Sequence, residues 1–199
     1  MVTRREIEEK RVQRNKTLMG VFIIVIMVAS TIGFFYGEQT APSKTDYNEY
    51  KFNMNKEQKW VTKINEQEFD FWYHPAEVDA YEAPDEIIEL FRGKQAIIFT
   101  FIPNSTDIQF LDAARFELAT NFGKKNIYVR SGVLEKSDVY KLPIIDCINA
   151  TPQIPVLKVV PSDEPTFTVE NNCAILSATE QQMLRRIESL QYKLLGVIK

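Results

Sequence analysis

The chain has 199 residues, 45% of them hydrophobic and 26% charged, with a formal net charge of -3. That balance excludes a disordered polyelectrolyte and a multi-span transporter. It leaves one ordinary domain of about 140 residues once a short tail and one apolar run are set aside. The negative balance also argues against a nucleic-acid partner, because phosphate binding rests on clustered Lys and Arg.

Residues 1–16 read as a charged tail, with Arg4, Arg5, Lys10, Arg11, Arg14 and Lys16 set against Glu6, Glu8 and Glu9. From Thr17 to Tyr36 the chain carries no charged side chain. A helix of that length rises about 30 Å, the thickness of a bilayer's hydrocarbon core. The run is longer than the apolar part of a signal peptide, and its small pair Ala29-Ser30 lies inside it, so the expectation is an uncleaved, single-pass transmembrane anchor over 17–36. The basic flank places the N-terminus in the cytoplasm and the rest outside the plasma membrane, with Phe34, Phe35 and Tyr36 at the outer interface. Residues 37–56 are polar and contain Pro42, which predicts a linker. An extracytoplasmic domain over 57–199 follows.

In that domain, Trp60 to Ile64 and Phe69 to Tyr73 alternate around Asn65-Glu66-Gln67, the pattern of a β-hairpin. Pro84, Asp85 and Glu86 open a helix that Gly93 closes. Ala96 to Ile102 is almost continuously apolar, as in a strand covered on both faces. Ser105 or Thr106 can cap the next helix, whose Leu111, Ala114, Leu118 and Phe122 recur at helical spacing, and Asn126 to Arg130 forms the strand after it. Strand, helix, strand predicts a right-handed parallel βαβ unit. Ile154–Val160 and Thr166–Glu170 flank a Pro-rich turn and read as a second hairpin, with Cys173 to Leu176 extending its returning strand. Ser177 and Glu180 have the spacing of a capping box before a last helix whose apolar stripe is Met183, Leu184, Ile187, Leu190, Leu194 and Val197. The fold class expected is α/β, with a mixed sheet built from a βαβ unit plus hairpins and flanked by helices.

Two cysteines, Cys147 and Cys173, both fall on the expected outer side, where an oxidising compartment favours a disulfide. A redox or metal pair would want Cys-x-x-Cys or added His ligands, and the single His74 is far away in sequence. His74 lies near Glu77, Asp79 and Glu82, but a lone His ending an aromatic strand reads as structural, and the acids beside it match no metal-ligand spacing. There is no Gly-rich phosphate loop and no nucleophile elbow. No catalytic residue, metal ligand or cofactor is therefore assigned. Asn104, Ser105, Thr106 and Asp107 form a candidate binding loop, and Asn104 and Asn149 begin N-x-[ST] triplets open to glycosylation.

The order of elements from Ala96, with Thr151-Pro152 stepping into a hairpin, resembles the thioredoxin fold over the C-terminal two-thirds of the chain. The place of that family's Cys pair reads Pro103-Asn104-Ser105-Thr106-Asp107, so the resemblance implies polypeptide binding without dithiol exchange. Asp146-Cys147-Ile148-Asn149-Ala150-Thr151-Pro152, Pro155-Val156, Asn172-Cys173-Ala174-Ile175 and Leu194-Leu195-Gly196-Val197 resemble uncharacterised single-pass membrane proteins of small-genome archaea. That likeness implies an archaeal envelope location and no activity. The function expected is a membrane-anchored binding or structural module whose partner is another envelope protein. The alternatives are a degenerate thioredoxin-like polypeptide-binding domain and an envelope hydrolase using acidic residues.

Overall fold

A computed structural model describes residues 15–28, 44–105 and 108–199, the side chain of Glu180 excepted. The chain divides into two compact units, Met1–Pro42 and Ser43–Lys199. In the first, residues 15–28 form a helix, α1, exposed along its whole length, with Leu18, Phe22 and Ile24 each at least 60% accessible. Among the described residues no helix is long and apolar enough to cross a membrane. The rest of the expected anchor, 29–36, lies outside the described residues.

The second unit begins earlier than the sequence suggests. Lys44–Tyr47 (β1) and Tyr50–Met54 (β2) pair antiparallel, so the stretch expected to be linker as far as residue 56 is largely folded. Its polar composition conceals an alternation: Phe52 is fully buried, Tyr50 and Met54 are half-buried, and Lys51 and Asn53 are exposed. The chain reverses at Asn48, whose φ of 51° suits Asn. Trp60–Ile64 (β3) and Gln67–Phe71 (β4) complete a four-stranded antiparallel sheet. Their turn is two residues, Asn65 and Glu66, both at positive φ, so Gln67 belongs to the strand.

Two short helices, α2 (Pro75–Val78) and α3 (Asp85–Phe91), lead into a five-stranded sheet of order β6-β5-β7-β9-β8. Here β5 is Ala96–Phe101, β6 Tyr128–Val133, β7 Val156–Pro161, β8 Thr166–Glu170 and β9 Cys173–Ala178. Helix α4 (Ile108–Lys124) crosses between β5 and β6, which run parallel as the βαβ pattern requires. The capping positions expected at Ser105 or Thr106 precede it, and residues 106–107 lie outside the described residues.

The second hairpin is a correction. Strand β7 does not pair with β8. It pairs in parallel with β9, and β8 folds back on β9 around Asn171-Asn172. The run Val156–Val160 is buried at Val156, Leu157 and Val159, which is the burial of an interior strand, whereas β8 is alternately exposed and half-buried as an edge strand should be. Cys173 therefore opens a separate central strand and does not extend a returning one. Ser177 is likewise a β9 residue, and the last helix, α5 (Glu180–Leu194), has Thr179 as its N-cap with no side-chain cap bond.

Helices α3, α4 and α5 cover one face of this sheet, where Ile97, Phe99, Phe101, Leu111, Leu118, Leu157, Leu176 and Ile187 form the main core. Each such side chain contributes about 1.5–3 kcal/mol on full burial. The meander sheet packs on the far side of the helices around Phe52, Phe69, Phe71, Val78 and Tyr192. Helix α5 is thus covered by both sheets. The opposite face of the five-stranded sheet carries no α-helix of this unit among the described residues. A strap, residues 143–150, crosses it instead. Gly132 permits that crossing: a Cβ there would stand 2.9 Å from the Cβ of Ile145.

Candidate functional site

The strap is fixed at four points. Ile145 N donates to Val133 O and Val133 N to Pro143 O. Buried Thr100 Oγ1 donates to Ile145 O at 2.7 Å, and Lys158 Nζ pairs with Asp146 Oδ1 at 2.8 Å. That ammonium, with the Cys147 amide, holds the Asp146 carboxyl below the usual carboxylate range. The fourth point is covalent: Cys147 and Cys173 are disulfide-bonded, with Cα atoms 5.2 Å apart. Asp146 and Asn149 cap each other's ends of a 3-10 turn over Cys147–Asn149, which lifts Ile148 to 92% exposure with Asn149 beside it. The glycosylation candidate Asn149 is therefore exposed, although its Oδ1 already accepts from Asp146 N.

The candidate loop Asn104–Asp107 follows β5 at the carboxyl end of the parallel strands, the end at which open α/β sheets bind ligands. Asn104 is exposed and its Nδ2 donates to Glu135 Oε1 at 3.1 Å. Ser105 is half-buried, and Thr106 and Asp107 lie outside the described residues. Behind the loop stands a cluster that sequence reading missed. The Tyr140 hydroxyl donates to Asp112 Oδ2, Arg115 forks onto Asp112 Oδ1, and Arg115 also reaches Ser131 Oγ at 3.3 Å. Burial, and then the Asp112 carboxylate, push the Tyr140 phenol up to about 12. These groups come from α4, β6 and the segment after β6, and no spacing in the sequence unites them.

His74 and the acids near it do not assemble. The His74 Nδ1 accepts from Ala76 N and Glu77 accepts from His74 N, a capping box that starts α2. The ring lies against Trp60, Phe52 and Tyr47, and burial lowers its pKa. Glu82 pairs with Lys193. Among the described residues no group of three His, Cys, Asp or Glu side chains could hold a metal ion.

The carboxylates that the fold does gather lie inside it. Lys59 Nζ meets Glu117 Oε1 at 2.5 Å and Asp70 Oδ2 at 3.4 Å, and Lys124 Nζ meets Asp70 Oδ1 at 2.7 Å. Burial works against the Lys59 charge, but Glu117 and Asp70 hold its pKa above the ordinary value. Burial likewise works against the Asp70 charge, and Lys124 and Lys59 outweigh it. Glu188, fully buried, accepts from the amides of Trp72 and Tyr73 at 2.8 and 2.9 Å. Its desolvation raises its pKa to about 8, with the Glu117 charge adding to the shift. With side-chain exposure of 4% at Glu117 and none at Glu188, the inner part of this network joins the meander to α4 and α5 out of reach of solvent, while Asp70 and Lys124 at its outer end stay partly exposed.

These features define a disulfide-stapled, three-layer α/β domain with two sheets about a helical layer. No protein family, curated protein or solved structure matches the chain.

Proposed function

We propose that the chain is a membrane-anchored extracytoplasmic binding module, held by the apolar run Thr17–Tyr36, that recognises another envelope protein. The observation that carries this reading is the Cys147–Cys173 disulfide, because such bonds persist in oxidising compartments and are rare where thiols are kept reduced. The exposed apolar side chains of α1 support it, since a helix hydrophobic all round needs an apolar surrounding. The binding surface is the carboxyl edge of the five-stranded sheet at the candidate loop that starts with Asn104 and Ser105, with Glu135 beside Asn104. Asn104 in that loop and Asn149 on the strap are the chain's candidate glycosylation sites.

The test uses the full chain in intact cells, with a tag at Met1. External protease should digest the domain and leave the tag, and both thiols should resist alkylation until reductant is added. Cleavage of the tag from outside, or free alkylation of Cys147 and Cys173 without reductant, overturns the location. Cross-linking followed by pull-down should recover an envelope protein, and N104A with E135A should lose it. Unchanged recovery overturns the assignment of the surface.

A further inference from the structure

The chain has four strand edges among the described residues, and three are guarded at least in part. The β6 edge is closed at Val133 by the strap, which takes the outward N–H and C=O there. The β4 edge is covered by α4: Asn121 Nδ2 donates to Asp70 O at 3.1 Å, and Lys124 pairs with Asp70. Strand β1 is four residues long and begins with Lys44, the kind of short, charged edge that discourages pairing. Strand β8, Thr166-Phe167-Thr168-Val169-Glu170, has a charge only at its last residue, and no described segment covers its outer side. It pairs with β9 in an unbroken register and has no neighbour on its other side.

The direction of its free groups follows from the ladder. Asn172 O and Ala178 O of the β9 side accept from Val156 and Ser162, so the even positions there turn toward β7. The odd positions Cys173, Ile175 and Ser177 turn toward β8, opposite Glu170, Thr168 and Thr166. The N–H and C=O of Phe167 and Val169 consequently point outward from the sheet. Their side chains lie half-buried on the helical face, Phe167 beneath the Arg186 guanidinium, while Thr166, Thr168 and Glu170 are exposed on the other face.

We infer that β8 pairs antiparallel with β8 of a second copy of this chain, about a two-fold axis at Thr168. The sequence is complementary to itself in that register. Phe167 faces Val169 of the second copy, which joins outward-pointing backbone groups to outward-pointing backbone groups and sets apolar against apolar. Thr168 faces Thr168 in a non-hydrogen-bonded pair, and Thr pairs are favourable across strands. Glu170 faces Thr166, so no charge meets its like directly. Pro165, which cannot donate, falls beyond the last bonded pair. The contact is isologous and uses up the β8 edge of both copies, so this pairing by itself closes at two.

The test uses the full chain in detergent. Sedimentation equilibrium should give the mass of two chains. T168C should cross-link to itself under mild oxidation, because Cβ atoms of such a pair stand about 4.5–5.5 Å apart. T166C should not, but should cross-link to E170C when the two variants are mixed. V169P removes an outward N–H that the β8–β9 ladder does not use, and should return the mass to one chain. A wild-type chain with the mass of one copy overturns the inference. So does self-cross-linking of T166C as readily as T168C, which would place the axis elsewhere. Thr168 is exposed, so its exchange for Cys tests the register whether or not V169P folds.

Discussion

Glu188 and Tyr192, one turn apart on α5, hold the same residue, Tyr73, one at its N–H and the other at its C=O. The Glu188 carboxylate accepts the Trp72 and Tyr73 amides, while the Tyr192 hydroxyl donates to Tyr73 O at 2.8 Å. The segment just after β4 is thereby held to a helix more than a hundred positions further along the chain.

Replacing Glu188 by Ala should cost about 2–5 kcal/mol, since it opens a cavity and strands two buried amides. The pH dependence has a definite sign. Glu188 rises from 4.5 to about 8 on folding, so the native state holds its proton more tightly than the unfolded state. Its contribution is complete below about pH 4.5 and is lost as pH climbs toward 8. Denaturant melts at pH 5 and pH 9 should show a larger fall for the wild type than for E188Q. Equal falls would show that Glu188 is not the group responsible.

Lys59 and Glu117 should behave as a unit. Lys59→Met alone leaves Glu117 buried without its counter-charge and should cost about 3–5 kcal/mol. The double change K59M/E117L should be far closer to wild type than the two single changes added together. Additive effects in a double-mutant cycle, read from chemical denaturation, would mean that the two side chains do not depend on each other.

The disulfide closes a loop with a sequence separation of 26. Removing it with C147A/C173A should lower stability by roughly 3 kcal/mol in the chain-entropy account. The loss should be local as well as global: hydrogen exchange should speed up at Ile145, whose amide bonds Val133 O, before it does so in β5. Uniform acceleration would mean that the strap is not a separate layer.

Much of the five-stranded sheet was legible because burial on both faces leaves long apolar runs. Ala96 to Phe101 announced itself, and Leu111, Ala114, Leu118 and Phe122 on α4 are all buried as their spacing predicted. The pairing of β7 was not legible. A hairpin between sequence neighbours is the default, and nothing local records that β9 inserts between β7 and β8. The burial of the polar side of α5 was not legible for a different reason. Glu188, Ser189 and Gln191 have the composition of a solvated face, yet all are buried. Their partners Trp72, Tyr73 and Asn121 are fixed by tertiary placement and not by spacing. The cysteine pair was readable from composition alone. The strap that it staples was not, because residues 143–150 have no period.

Because α5 lies between both sheets, the order in which the chain is made does not match the order in which it can close. The meander strands are synthesised first, but Phe52 and Phe71 pack their rings against Tyr192, and Asn48 Nδ2 waits for Val197 O, 149 positions later. Until that helix emerges, the aromatic face of the meander stays wet and the helical face of β5 and β7 lacks its central cover. Folding is therefore a late, concerted event with a high share of distant contacts, a class that forms slowly and leaves sticky surface open while it waits. A nascent domain of this design has more need of a holding chaperone at its point of emergence than its modest size would suggest.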